Sequence, residues 1–285
     1  MKIIKIILIL VFSTIGCLSF AKTGKSKWPE NVKVVKVESA SMNKKIDVSV
    51  VLPESYEKNP NKRYPVIYLL HGYSETHTAW PINAKPDLHK IASKNNIIFV
   101  CPNGGKSWYV DSPVHPEIRY ETFVAKELVE FIDKNYRTIA TKKGRAITGY
   151  SMGGHGALLI CFKHQQTFGA CGSMAGTLDL RMKVNDEKIK VLGEYAKYRS
   201  AWDDNSVVEL LYLLNRVRMP AIIIDCGTED HLLCENEKVH QKMLDMRMPH
   251  DYITRPGKHN GKYWRSAVDT QILFFLKYFA EGNAR

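Results

Sequence analysis

The feature that most constrains this chain is Gly149-Tyr150-Ser151-Met152-Gly153-Gly154. It fits the pattern G-x-S-x-G. It also lies between Arg145 to Gly149, which reads as a short strand, and Gly153 to His164, a small and apolar stretch that reads as a helix. The glycines permit a turn too tight for neighbours that carry a β-carbon, and such a turn displays the serine hydroxyl at the carboxyl end of a sheet. The helix start behind the serine favours developing negative charge. The motif therefore requires a sheet with a helix packed directly against one of its strands.

The remaining sequence supplies such a sheet. Val32 to Val37 and Ile46 to Leu52 alternate apolar and polar residues, as antiparallel strands with one buried face do. Pro65 to Leu70 and Ile97 to Val100 are continuous apolar runs, which suit strands buried on both faces. Gly169 to Met174 and Ala221 to Cys226 are strand-like, and a further strand follows His250. Helical spacing appears in Leu88 to Asn95, Glu121 to Tyr136, Lys238 to Met246 and Arg265 to Phe279. Strands alternating with helices predict an α/β fold: a mostly parallel sheet with helices on both faces and an antiparallel N-terminal edge. Arg181 to Arg218 interrupts the alternation and reads as a helical insertion over the top of the sheet. No linker or repeat divides the chain, so residues 30–285 are expected to form one catalytic domain with the insertion around 181–218.

The N-terminus reads as a signal peptide over residues 1–21. Lys2 and Lys5 supply a positive start, Ile6 to Phe12 an apolar run, and Ser19-Phe20-Ala21 a cleavage site after Ala21. A secreted or periplasmic protein is expected, with lipid attachment through Cys17 as an alternative. No second long apolar stretch follows, so no membrane span is expected. The formal net charge is +12, but the lysines are scattered and form no dense run interleaved with aromatics. This charge reads as solvated surface and predicts no nucleic-acid partner. Cys101, Cys161, Cys171, Cys226 and Cys234 remain after cleavage; five is odd, and none has CxxC spacing. Whether Cys226 and Cys234 bridge stays open.

A serine hydroxyl needs a base, and on a strand–turn–helix serine the chain order is Ser, then Asp or Glu, then His. His259 sits in the turn-rich loop Pro256-Gly257-Lys258-His259-Asn260, just before the last helix, and is the candidate base. The acid should follow the strand Ala221 to Ile224. Asp230 has room to reach the histidine, and Asp225 at the strand end is its rival. The backbone N–H groups of Met152 and Tyr73 are the candidate oxyanion donors. His71, next to Gly72, is expected to pack and shape that loop. Asn103-Gly104-Gly105-Lys106-Ser107 fails as a phosphate loop because its first glycine would fall at Val100. His71 and His77 lack the companions of a ligand cluster, so no metal and no cofactor is expected.

With these residues placed, the chain resembles the esterase D family of α/β-hydrolases, which includes carbohydrate esterase family 1 feruloyl and acetylxylan esterases, tributyrin-type esterases, S-formylglutathione hydrolases and mycolyltransferases. The matching segments are Tyr68 to Tyr73, Cys101 to Gly105 with Ser107-Trp108-Tyr109, Ile147 to Gly156, Asp225 to Asp230 and Arg255 to Trp264, which run in family order through nearly the whole mature chain. The resemblance implies the α/β-hydrolase fold, a Ser151–His259–Asp230 triad, and an oxyanion site around Tyr73 and Met152. It further implies a small-molecule or oligosaccharide ester as substrate, with Trp108 and Tyr109 as an aromatic wall for a ferulate or sugar ring. The alternatives it leaves are a short-chain acyl or S-formylglutathione-type esterase, an acyltransferase, and a carbohydrate-binding module without activity. Lys258 and Asn260 flank His259 where family members often carry glycine and an aromatic residue.

Overall fold

The computed structural model describes residues 28, 29 and 31–283; the expected signal peptide and Cys17 lie outside these. The apolar runs become strands β1 (Val32–Ser39), β2 (Lys44–Val51), β3 (Val66–Leu70), β4 (Ile98–Pro102), β5 (Arg145–Gly149), β6 (Ala170–Met174), β7 (Ala221–Gly227) and β8 (Asp251–Arg255). All eight join one sheet in the order β1-β2-β4-β3-β5-β6-β7-β8. β1 pairs with β2, and β2 with β4, in antiparallel fashion; every later pairing is parallel. This is the α/β-hydrolase architecture, with the antiparallel pair at one edge and β8 at the other.

The alternation of strand side chains creates two cores. On β3, Val66, Tyr68 and Leu70 join one buried cluster with Leu158, Phe162, Val124 and Leu128, while Ile67 and Leu69 join a second with Leu88, Ala92, Val268 and Phe275. The helices Met152–Lys163 and Leu128–Asn135 thus cover one face, and Leu88–Asn95 and Gly261–Asn283 the other.

Two helices begin earlier than their apolar spacing suggests. Leu233–Asp245 starts on a polar stretch because Glu235 and Asn236 are buried: Glu235 accepts from the Asp179 N–H at 3.2 Å, and Asn236 donates to the Gly176 carbonyl at 3.0 Å. Gly261–Asn283 starts directly after the His259 loop because Asn260 caps it, its Oδ1 accepting from the N–H groups of Lys262 at 3.1 Å and Tyr263 at 3.2 Å. Asn260, one of the two unusual flanks of His259, therefore fixes where that loop ends.

The insertion between β6 and β7 carries the short helices Asp186–Leu192 and Arg199–Asp203. Trp202 is fully buried within it and donates to the Gly193 carbonyl at 3.0 Å, with Tyr195 against its ring edge. Arg181 ties the segment together by pairing with Asp179, Asp203 and Glu209. The aromatic residues of the insertion hold it to the body of the protein. The five described cysteines all carry free thiols; four are buried, and Cys234 is exposed, so Cys226 and Cys234 do not bridge.

Gly153 lies against the backbone at the end of β3. A β-carbon there would lie 2.6 Å from the Leu70 carbonyl carbon and 2.7 Å from the His71 carbonyl oxygen, both backbone atoms. Backbone cannot swing aside as a flexible side chain can, so Gly153→Ala is expected to destabilise the protein by about 2 kcal/mol or more. Urea unfolding of wild type and variant checks this, and an unchanged midpoint would show that the two backbones are not in contact.

Candidate active site

Ser151 stands at the turn between β5 and the helix Met152–Lys163, with φ 55° and ψ −121°. Few non-glycine residues adopt such a backbone, and holding one there costs on the order of 1–3 kcal/mol. The surroundings fix it: the Ser151 N–H donates to the Met174 carbonyl at 3.0 Å, and its carbonyl accepts from the His155 N–H at 3.1 Å. The pairing of Leu70 with Gly149 brings the end of β3 alongside the turn.

β7 and β8 carry the partners of the serine to the same end of the sheet. Asp230 lies in the turn after β7, its side chain wholly out of contact with solvent, and its Oδ1 accepts from the Leu232 N–H at 2.9 Å. His259 Nδ1 is 2.9 and 3.1 Å from the two oxygens of Asp230, and His259 Nε2 is 2.9 Å from Ser151 Oγ. An ionised carboxylate only accepts, so Nδ1 carries the ring proton and donates to it. Nε2 is then a lone pair that accepts from the serine hydroxyl. Three residues far apart in sequence thus form one chain of hydrogen bonds whose only direction of proton movement is from serine to imidazole. Asp225, the rival acid, is taken up elsewhere. It is buried, and its carboxylate receives the Tyr263 hydroxyl and the Arg255 guanidinium. Burial raises its pKa, with these two partners opposing the rise. Asp225 fastens β7 to β8 and to the last helix.

The loop after β3 is held on three sides. His71 is buried, and its Nε2 accepts from the Gly104 N–H at 2.8 Å, which leaves Nδ1 to donate to the Gly72 carbonyl at 2.7 Å. Burial pushes its pKa down to about 4, so the neutral ring acts as a fixed two-way connector. The Tyr109 hydroxyl accepts from the His71 N–H at 3.0 Å. Glu75 accepts from the Gly72 N–H at 3.0 Å and from the Tyr150 hydroxyl, which joins the loop to the residue before Ser151. Among the described residues, the backbone N–H groups of Tyr73 and Met152 have no protein acceptor; the latter is one of the unpaired donors of a helix start.

The aromatic wall is corrected in part. Tyr109 is wholly buried, its ring packed on Gly104 and Gly156, so it shapes the loop and presents no face to a ligand. Trp108 is 6% exposed and lies against Tyr73 with ring centroids 5.8 Å apart; Tyr73 is the more open of the two. Both Trp108 and Tyr109 have positive φ, a costly state for large side chains. From the insertion, Lys188 places its ammonium 5.3 Å from the Trp108 ring centre.

Three contributors were not legible beforehand. Trp264 stacks on Tyr150 at 4.3 Å and meets the His259 ring edge-on at 5.1 Å, bracing the Ser151 turn and the His259 loop together. Glu75 braces the loop after β3. His231 packs edge-to-face on His259 at 4.6 Å. No periodicity marks these residues, because each acts through a contact between loops.

Comparison with known proteins places this geometry in context. The profile of the Esterase family, described as "Putative esterase", matches residues 39–275. A solved structure of a ferulic acid esterase is 32% identical, with a TM-score of 0.75 over 87% of this chain and 98% of that one. An esterase of Mycobacterium tuberculosis is 28% identical over 238 residues, covering 74% of this chain and 52% of the relative. An endo-1,4-beta-xylanase/feruloyl esterase of Xylanibacter ruminicola is 32% identical over 170 residues, covering 55% of this chain and 23% of the relative. The chain spans about half the length of the Mycobacterium relative.

Two outcomes follow from the geometry. A fluorophosphonate probe is expected to label Ser151, read by peptide mass spectrometry. Ser151→Ala abolishes labelling and Glu75→Ala slows it about 10- to 100-fold through misplacement of the loop; equal rates for Glu75→Ala and wild type would remove the bracing role. The second outcome concerns acid. Burial also lowers the pKa of His155 to about 4. An unfolded histidine takes its proton near pH 6.5, so His71 and His155 contribute their full stabilisation above about pH 6.5 and lose it as the pH falls towards about 4. The loss is on the order of 3 kcal/mol from each. A urea midpoint that stays flat between pH 7 and 4.5 would refute it.

Proposed function

Given that the chain belongs to the Esterase family, we propose that it is an exported serine hydrolase of carboxylic esters, acting through Ser151, His259 and Asp230 by way of an acyl-enzyme. The observation that carries this reading is the hydrogen-bonded series Asp230–His259–Ser151, with distances of 2.9 Å at both junctions.

In the proposed reaction His259 Nε2 takes the proton of Ser151 Oγ as that oxygen attacks the ester carbonyl. Asp230 holds the imidazole in the right tautomer and stabilises the imidazolium that forms. The N–H groups of Tyr73 and Met152 receive the negative charge that develops on the carbonyl oxygen. As the intermediate collapses, the bond to the alcohol oxygen breaks, and His259 returns the proton to that oxygen. Water then attacks the acyl-enzyme with His259 again as base, which frees the carboxylic acid and restores Ser151. The steps need no redox partner.

The proposed substrates are feruloyl or acetyl esters of plant polysaccharide fragments. Similarity to a ferulic acid esterase at 32% identity over almost all of that protein supports this choice. Export rests on the N-terminal pattern of Lys2, Lys5, Ile6 to Phe12 and Ala21.

The test is hydrolysis of p-nitrophenyl acetate and methyl ferulate by wild type and Ser151→Ala. Wild type is expected to cleave at least one, and the variant to lose activity by roughly four orders of magnitude or more. The ratio of the two wild-type rates ranks feruloyl against acetyl groups. Equal activity in the variant, or none in wild type, would refute the proposal.

A further inference from the structure

Asp230, His231 and His259 come together at the rim of the site. The three residues can each direct one ligand atom into a common space, with all three atoms within 4.8 Å of one another. Two separations are resolved further: Asp230 Oδ1 is 3.1 Å from His259 Nδ1 and 3.7 Å from His231 Nδ1. Donors that share one tetrahedral ion at bonds of about 2.0–2.2 Å stand roughly 3.3–3.6 Å apart, so these two distances bracket what a single ion requires. Two imidazoles and a carboxylate are a donor set that suits zinc-class divalent ions. The site is also accessible. The His231 side chain is 57% exposed, whereas that of Asp230 is fully covered, so an ion meets His231 first and finds the carboxylate behind it.

We propose that this cluster is an inhibitory site for zinc-class divalent cations, in which His231 recruits the ion and Asp230 and His259 complete its protein ligands. The proposal rests on the reading of Ser151, His259 and Asp230 as the reacting group. Its chemistry is a ligand exchange: the ion releases a bound water and bonds His259 Nδ1, while the proton of Nδ1 passes through solvent to Nε2, so the ring stays neutral. The hydrogen bond from His259 to Asp230 is lost in the same step, because the carboxylate now bonds the ion. With the ring proton on Nε2, that nitrogen donates and has no lone pair with which to take the serine proton. Removal of the ion by a chelator returns the proton to Nδ1 and restores the hydrogen bond to Asp230 and the lone pair on Nε2. His231 does not touch the serine in this scheme; its part is to supply the exposed ligand.

The closing experiment uses binding and activity separately. In the Ser151→Ala protein, calorimetric titration with zinc chloride is expected to show one site per chain, and Co²⁺ to give the visible absorption of a tetrahedral complex. Introducing His231→Asn into that background should weaken binding at least about tenfold. Cys234→Ser should leave it unchanged, which tests the exposed thiol three residues away. In otherwise wild-type protein, zinc should suppress ester cleavage and EDTA should restore it. His231→Asn, scaled to its own metal-free rate, should need at least about ten times more zinc. Zinc binding that survives His231→Asn, or that disappears with Cys234→Ser, overturns the proposal. If the protein cleaves no ester, the calorimetric and Co²⁺ titrations still decide whether the cluster holds the ion, so failure of the esterase reading is seen apart from failure of this one.

Discussion

The carboxyl end of this sheet depends on two backbones lying in contact. The end of β3 and the first turn of the helix after Ser151 touch at Gly149 and Gly153, where any β-carbon would meet the carbonyl groups of Leu70 or His71. That contact sets the distance between Ser151 and the loop that begins at His71. Gly72 is close-packed as well: a β-carbon there would lie 2.8 Å from the Tyr150 ring. The strained conformation of Ser151 is tolerable only because its own N–H and C=O are both engaged and its neighbours cannot move.

Around this fixed point the chain uses histidine in two ways. His71 and His155 are buried and kept neutral, and each serves as a rigid link between segments; His155 Nε2 donates to the Asn205 carbonyl at 2.7 Å. His259 keeps part of its ring in contact with solvent and is oriented by a carboxylate that has none. The difference is one of surroundings rather than of residue type. The same division separates the two aspartates after Ile224: Asp225 pairs with Arg255 and accepts from the Tyr263 hydroxyl, while Asp230 faces the imidazole.

Much of this could be read in advance because it is local. The glycine-rich turn at Ser151, the continuous apolar runs of β3 and β4, and the turn-rich segment around His259 all carry their signals within a few residues. Helix starts were less legible where polar residues turn inward, as with Glu235 and Asn236, or where a single cap at Asn260 begins the helix before its apolar spacing does. Tyr109 was misread as a wall because an aromatic residue beside a binding loop looks alike whether it faces a ligand or two glycines; only burial distinguishes them. Glu75, Trp264 and His231 reach the site through contacts made by folding, and single-chain spacing does not encode such meetings.

The free thiols have a consequence for where this fold can form. Cys101, Cys161, Cys171 and Cys226 are buried as small apolar side chains, and none is joined to another. The described domain is therefore held by packing, hydrogen bonds and ion pairs alone, without a covalent staple. No disulfide has to form for the packing of the described residues. Reductants should leave it intact, and the thiol most open to oxidants, that of Cys234, lies on the outside of the helix that follows the acid loop.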